Sequence, residues 1–434
     1  MTDGKPARSR RGKTIGRWRL DELKLLLSAG VCVIWAFLLS HVYVLKQRSL
    51  DVRDYLVPAL FLSTCLAAHL LLSILKTHAD QTVLPAMTFL GGFGLAFQYR
   101  LGLSGIEWQS GLMTVIWIAA PLITALIALA LQWMGLTWMR SLSRVSWAVV
   151  YGLPLVVLIG GNAFRGATFG PGMTTPTEFV KPLVVIGLAA LLTTHGKHLN
   201  SKKGFFGFES IRAHLTVLVI WSIPQLLFLA QRDLGMIVIQ FLILLIMMTA
   251  VTGRVRYLLT GVSGMILAGW SAVHFVSRVR VRLDAWLTPF EHPDGSGYQI
   301  MHALFAVFNG EFLGRGFGGG VPNVIPLVRT DFVYASVAEE IGLPGSAALI
   351  GIFMYLAARS CRIAAGQREP FAALIAIGCG ALIWIQTLLN IGGVIKLIPM
   401  TGVPLPFISQ GGSAALSFSI VFGLRLGVSA ISRR

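Results

Sequence analysis

The residues best suited to chemistry in this chain lie between Pro289 and Gly342, in three polar stretches. PFEHPDGSGYQ (Pro289 to Gln299) sets Glu291, His292 and Asp294 almost side by side. GEFLGRGFGGG (Gly310 to Gly320) is rich in glycine, and RTDFVYASVAEEIG (Arg329 to Gly342) joins Arg329, Thr330 and Asp331 to Glu339 and Glu340. Carboxylates and a neutral imidazole can take protons, and arginines can stabilise negative charge as it develops. A mere connector between apolar runs could be short and bland. One this polar, placed where helices leave lipid, reads as a site. The glycines do not form a nucleotide loop, because no strand precedes them and no GK[ST] follows. Flexible backbone that can approach a ligand or the membrane is the safer reading.

Other polar residues sit where lipid would penalise them. Glu178 and Lys181, in PTEFVK, are three apart and can pair on one helical face. They are read either as a structural pair at the interface or as a charged wall of a polar cavity. Asp233, in QRDLG, falls in a turn tight enough to force a helical hairpin, where it can cap the following helix and face the same cavity. His195 and His198 have a spacing that could hold a metal, but Lys197, Lys202 and Lys203 surround them and no acid follows before Glu209. They are read as part of a solvated basic loop. The segment from Lys396 to Leu416 contains Pro399, Pro404 and Pro406, which forbid continuous helix, and Gly411 with Gly412, which breaks before the last apolar run. Irregular backbone at membrane depth is tolerated only where protein or water covers it. The segment, with Lys396 and Ser409, is therefore expected to pack inside the bundle as the floor of an outward-opening cavity.

The elements that must position these residues are membrane helices. Hydrophobic residues make up 55% of the 434 and charged residues only 12%, a composition that excludes a soluble domain of this size. Twelve apolar runs approach spanning length, at 23–45, 55–75, 82–99, 112–133, 147–161, 179–194, 214–230, 234–251, 258–276, 331–357, 371–395 and 413–430. The runs at 147–161 and 179–194 are short, consistent with tilted or re-entrant segments. The expected fold is all-α, a polytopic bundle of about 12 transmembrane helices with a large extracytoplasmic loop at 277–330. The net charge of +18 does not imply nucleic acid. Counted on alternate sides, the inside segments hold 22 Lys or Arg, the short outside loops 7 and the long outside loop five more, which puts both termini in the cytoplasm. The basic tail at 1–22 then lies against anionic lipid. Cys32, Cys65, Cys361 and Cys379 are not placed for an external disulfide and form no CxxC metal spacing. No internal repeat suggests a duplicated transporter.

These motifs also carry a resemblance. NIGGVIKLIPMTGVPLPFISQGGSAAL (Asn390 to Leu416) closely resembles the signature of the FtsW/RodA/SpoVE (SEDS) family. RTDFVYASVAEEIGLPG, HPDGSGYQ, QRDLG and PTEFVK resemble its other landmarks, in the right order. The similarity covers about 82–430, so 23–80 reads as an additional N-terminal pair of spans and 81–434 as the family-like domain. The resemblance implies a peptidoglycan glycosyltransferase that polymerises lipid II, the undecaprenyl-pyrophosphate disaccharide-peptide, beside a class B penicillin-binding protein. It implies service in elongation, division or sporulation, in the bacterial cytoplasmic membrane. The expected cofactor is at most a divalent cation, Mg or Mn, with no organic cofactor. The implied substrate-binding residues are Glu178, Lys181, Asp233, Arg329, Thr330, Asp331, Glu339, Glu340, Lys396 and Ser409.

The departures touch the chemistry. The family motif DPxGxGYQ has an Asp, taken as the catalytic carboxylate, where this chain has His292. PExHTDF becomes PLVRTDF, with Leu327 and Arg329 at the changed positions; His302 and Ala303 replace Gln-Ser, and Arg232 replaces a Pro. His292 can itself be the base, Asp294 or Glu291 can supply the carboxylate, or the protein can be inactive. Three functions stay open: lipid II glycosyltransferase, non-enzymatic scaffold for cell-wall synthesis, and lipid-linked precursor flippase. Lys181, Glu178 and Asp233 all fall near the outer end of their spans, which favours an external site over a path through the membrane.

Overall fold

The computed structural model describes residues 19–46, 49–102, 111–164, 167–169, 175–200 and 208–431. Of the basic tail expected at 1–22, all but Arg19 to Glu22 lies outside them, as do Lys202 and Lys203. The described chain folds into thirteen α-helices: α1 (Leu20–Leu45), α2 (Val52–Ile74), α3 (Val83–Gly102), α4 (Gly111–Gly160), α5 (Val180–Leu199), α6 (Phe208–Ala230), α7 (Leu234–Thr252), α8 (Arg256–Phe275), α9 (Ser277–Leu287), α10 (Tyr298–Asn309), α11 (Val333–Ala365), α12 (Pro370–Val394) and α13 (Gly412–Ile431). One small antiparallel hairpin follows α4, with Asn162 opposite Phe169, so the all-α expectation needs that single amendment.

Ten of these helices are long and apolar enough to cross a membrane. Helices satisfy their own backbone hydrogen bonds, which lipid cannot do for them. The twelve apolar runs fall on eleven helices, because α4 holds two. Gly135, at φ 73° and ψ 178°, breaks α4 between them. The run at 147–161 is thus the second limb of α4 rather than a re-entrant segment. The run at 82–99 lies in α3, which is not among the ten. Burial explains its lower hydropathy: α3 is enclosed by protein along nearly its whole length, and Gln98 and Arg100 find polar partners there.

The core lies where α12 and α13 meet the surrounding spans; most of both helices is buried, whereas α8 has no buried residue. The N-terminal pair packs on α3. A Cβ at Gly92 would stand 2.3 Å from Val33 of α1, so only glycine allows this approach. At the other end of that interface Arg19 donates to the carbonyls of Thr77 and Ala79, while Glu22 joins Arg19 to His69.

The region from 277 to 330 is more ordered than a loop. It contains α9, a 3-10 turn at Pro289–Glu291, α10, and a second 3-10 turn at Pro322–Val324. The Lys396–Leu416 segment packs inside the bundle: Leu405, Ile408 and Ser409 are buried. Gly94 of α3 makes room for it, since a Cβ there would lie 2.0 Å from the Phe407 carbonyl.

Candidate functional site

One end of the bundle gathers a polar cluster from five elements. Glu178 sits in a 3-10 turn, Pro176–Phe179, that opens α5, and Lys181 follows in the first turn of that helix. Lys181 Nζ donates to Glu178 Oε2 at 2.6 Å and to Gln386 Oε1 of α12 at 2.9 Å. The lysine side chain is 1% exposed, so the pair is interior rather than snorkelling. The backbone of the Glu178 turn is pinned by Ser417 of α13, whose Oγ donates to the Glu178 carbonyl at 2.8 Å.

Asp233 fills both roles its turn allows. Its carboxylate accepts from the Met236 N–H at 3.1 Å and caps α7. The same carboxyl feels the charges of Lys181, Glu178 and Arg282. Burial pushes it above the usual carboxylate range, against the pull of the Met236 N–H and Lys181. Gly235 lets this turn touch the proline-rich segment: a Cβ would lie 2.9 Å from Val403 and 3.0 Å from the Thr401 carbonyl.

Helix α9 lies along that segment. Arg282 donates to the Thr401 carbonyl at 3.4 Å, Trp286 Nε1 donates to the Lys396 carbonyl at 3.0 Å, and Lys396 Nζ returns to the Leu287 carbonyl at 3.2 Å. Gly402, at φ 74°, is flanked by charge, since a Cβ there would stand 3.6 Å from Asp331 Oδ2 and 3.8 Å from an Arg282 nitrogen. The Arg329–Asp331 stretch is stitched to the same segment through its backbone. The Arg329 carbonyl accepts from Gln410 N–H at 2.7 Å and from Gln98, the Thr330 carbonyl from Ser409 Oγ at 2.5 Å, and the Asp331 carbonyl from Asn390 at 2.9 Å. The Arg329 guanidinium turns away, to the Leu101 carbonyl at 2.6 Å.

Among the sequence-predicted residues, then, Glu178, Lys181, Asp233 and Asp331 converge with Arg282, while Thr330, Lys396 and Ser409 build the segment beneath them. Glu339 and Glu340 point elsewhere. Both are buried, and their carboxylates accept from the N–H groups of Val321 and Gly318, with Arg100 pairing to Glu340 at 2.5 Å. In this structure they gather the glycine-rich loop; the resemblance implied substrate contacts for both. Glu291, His292 and Asp294 lie on an exposed turn. The His292 carbonyl accepts from the N–H groups of Gly295 and Gly297, and Gly297 is obligatory because a Cβ would lie 2.0 Å from the Pro289 carbonyl. Among the described residues, no side-chain hydrogen bond ties these three to the Lys181 cluster. Their turn follows α9 directly, five residues beyond the Leu287 carbonyl that holds Lys396.

The sequence reading passed over Gln386, Asn390 and Gln98. Gln386 and Asn390 stand one turn apart on α12 and bind the carbonyls of Pro404 and Val403. Their signal was available: two amides at helical spacing within an apolar run are costly in lipid and need a polar partner.

Comparison with known proteins places this arrangement. A family model covering FtsW, RodA and SpoVE, described as cell cycle proteins, matches residues 33–434. The chain belongs to the FtsW/RodA/SpoVE family. Among its relatives, the peptidoglycan glycosyltransferase RodA of Mycobacterium tuberculosis is 30% identical over 437 residues, spanning 96% of this chain and 91% of its own. Stage V sporulation protein E of Bacillus subtilis is 32% identical over 310 residues, spanning 68% of this chain and 81% of its own. The fold is that of Thermus thermophilus RodA, with a TM-score of 0.57 at 20% identity over 82% of this chain and 98% of that one. A chain of a peptidoglycan synthase complex that coordinates polymerization and crosslinking aligns at TM-score 0.64 and 23% identity, over 81% of this chain and 98% of that one. The segment from Asn390 to Leu416, on which the cluster rests, is the one that resembles the family's signature, and His292 stands at the motif position where that resemblance calls for Asp.

Proposed function

We propose that this protein is a peptidoglycan glycosyltransferase that polymerises lipid II into glycan strands at the outer face of the bacterial cytoplasmic membrane. The observation that carries the reading is the near-full-length similarity to relatives bearing that activity in their names. The geometry supports it. In this reaction a sugar 4-hydroxyl attacks an anomeric carbon and loses a proton to a base, while the lipid diphosphate leaves with its charge. Lys181 and Arg282 supply positive charge for the diphosphate at one end of the bundle, and Lys396 stands beside the turn that carries His292, Glu291 and Asp294. Among the described residues no three of His, Cys, Asp or Glu gather as metal ligands. A Mg or Mn ion held between a carboxylate and the diphosphate needs no such trio, and the positive charge the chain itself offers the diphosphate is that of Lys181 and Arg282.

The similarity to a chain of a synthase complex supports a class B penicillin-binding protein as partner. Solved neighbours matched over 98% of their length cover 81–82% of this chain, which supports 23–80 as an added pair of spans on an 81–434 core. The excess of Lys and Arg in alternate segments supports a cytoplasmic position for both termini. A reporter active only outside should work when fused near Gly318 and fail after Arg434; the reverse pattern would overturn this orientation.

Purified protein with its partner and lipid II tests the activity. With His292 as base, His292→Ala lowers the rate by roughly a hundredfold. Damage from Asp294→Asn with a mild His292→Ala would move the base to Asp294. A second reading, a scaffold without polymerase activity, is favoured by the exposed His292 at the Asp position. It prevails where the wild type makes no polymer and His292→Asp does.

A further inference from the structure

The loop joining α10 to α11 carries GRGFGGG and leads into Arg329–Asp331, and it is held from three sides. From α11, Glu340 Oε2 takes the Gly318 N–H at 3.0 Å and Glu339 takes that of Val321 at 3.2 Å. From α3, Arg100 pairs with Glu340 and donates to the Gly320 carbonyl at 3.0 Å. The rings of Phe93 and Phe97 meet Phe317 edge-on, with centroids 6.3 and 5.3 Å away. The third side is α1. Tyr43 lies so close beneath Gly318 that a Cβ there would stand 2.6 Å from its Cδ2, and the Arg100 guanidinium carbon is 4.9 Å from the Tyr43 ring centroid.

These contacts form a closed circuit. Arg100 uses its edge for Glu340 and Gly320 and rests its face on Tyr43, the division of labour a planar guanidinium permits. Glu340 divides its two oxygens between Arg100 and the Gly318 N–H. Gly318, at φ 83°, brings its backbone down onto the same tyrosine ring. Removing the ring would uncover the guanidinium face and the underside of the loop together.

We propose that Tyr43 is a positioning residue: through Arg100 and Gly318 it fixes the loop that presents Arg329–Asp331 to the site, so the N-terminal pair of helices takes part in the site's architecture. For polymerisation this rests on the glycosyltransferase reading; for the loop itself it does not.

Trypsin tests it on the full chain in nanodiscs. Arg315 is an exposed cleavage point within the loop, and exposed Arg368, between α11 and α12, serves as internal control. Tyr43→Ala should be cut at Arg315 about tenfold faster than wild type, as should Gly318→Ala, with no change at Arg368. Tyr43→Phe keeps the ring and should match wild type. Wild-type cleavage of Tyr43→Ala at Arg315, or equal acceleration at both sites, would overturn the proposal. In the same preparations polymerisation should fall in Tyr43→Ala and Gly318→Ala and persist in Tyr43→Phe. A loosened loop with full polymerisation would refute the link to the site. Absence of polymer in the wild type counts against the glycosyltransferase reading alone, since cleavage at Arg315 still decides whether Tyr43 holds the loop.

Discussion

Lys181 and Glu178 form a buried ion pair at the mouth of α5, with Nζ 2.6 Å from Oε2 and the lysine 1% exposed. The pair is both a structural element and the strongest candidate contact for a diphosphate, and the two roles can be separated. Lys181→Met leaves a buried carboxylate unpaired and should cost about 3 kcal/mol of stability as well as activity. Adding Glu178→Gln removes the orphaned charge and should restore the melting temperature without restoring polymerisation. Recovery of activity in the double variant would show that Lys181 serves folding alone.

Asp233 gives a pH signature. Burial raises its carboxyl above the ordinary range, so the folded protein holds that proton more tightly than the unfolded chain, whose Asp ionises near pH 3.9. The sign follows: this group favours folding in acid and loses that contribution as pH rises past about 4, until the raised value is passed. Asp233→Asn keeps an oxygen for the α7 cap and carries no charge. The variant should be as stable as wild type in acid and more stable at neutral pH, while polymerising poorly. Thermal unfolding in detergent across this range checks it; lower stability of the variant at neutral pH would show that attraction to Lys181 and Arg282 outweighs burial.

Arg425 is fully buried in α13, and among the described residues none of its guanidinium nitrogens has a hydrogen-bond partner. Asp80, whose charge it feels, is already bonded by Arg359 at 2.7 Å and by Thr82. An uncompensated buried charge costs more than an apolar side chain of similar volume, so Arg425→Leu should stabilise the protein by about 1–4 kcal/mol and leave polymerisation unchanged. Thermal unfolding decides the sign; a lower melting temperature would mean that the guanidinium meets an acceptor in the membrane-embedded protein.

The sequence by itself determined whatever depends on composition and local spacing. Long apolar runs become helices because lipid offers no partner for an open backbone. Gln231 to Gly235 becomes a tight turn with Asp233 as cap, and the three-residue step from Glu178 to Lys181 sets up their pair, because both follow from short-range geometry. The prolines of the Lys396–Leu416 segment announced that it could not be helical and needed cover. Which groups meet across the bundle was decided only by tertiary packing. Glu339 and Glu340 are visible in the sequence as carboxylates in a polar stretch, but their bonds to the backbone N–H groups of Gly318 and Val321 come from the approach of the preceding loop. Arg282 reaches the cluster only because α9 is laid along Thr401. Gln386 and Asn390 were hidden in an apolar run, and their partners, Pro404 and Val403, arrive from a segment that folds back into the bundle. A hydrogen bond or ion pair between distant residues leaves its polar partners visible in the sequence but not their pairing, because the pairing is fixed by where rigid helices and close-packed glycines let the backbone pass.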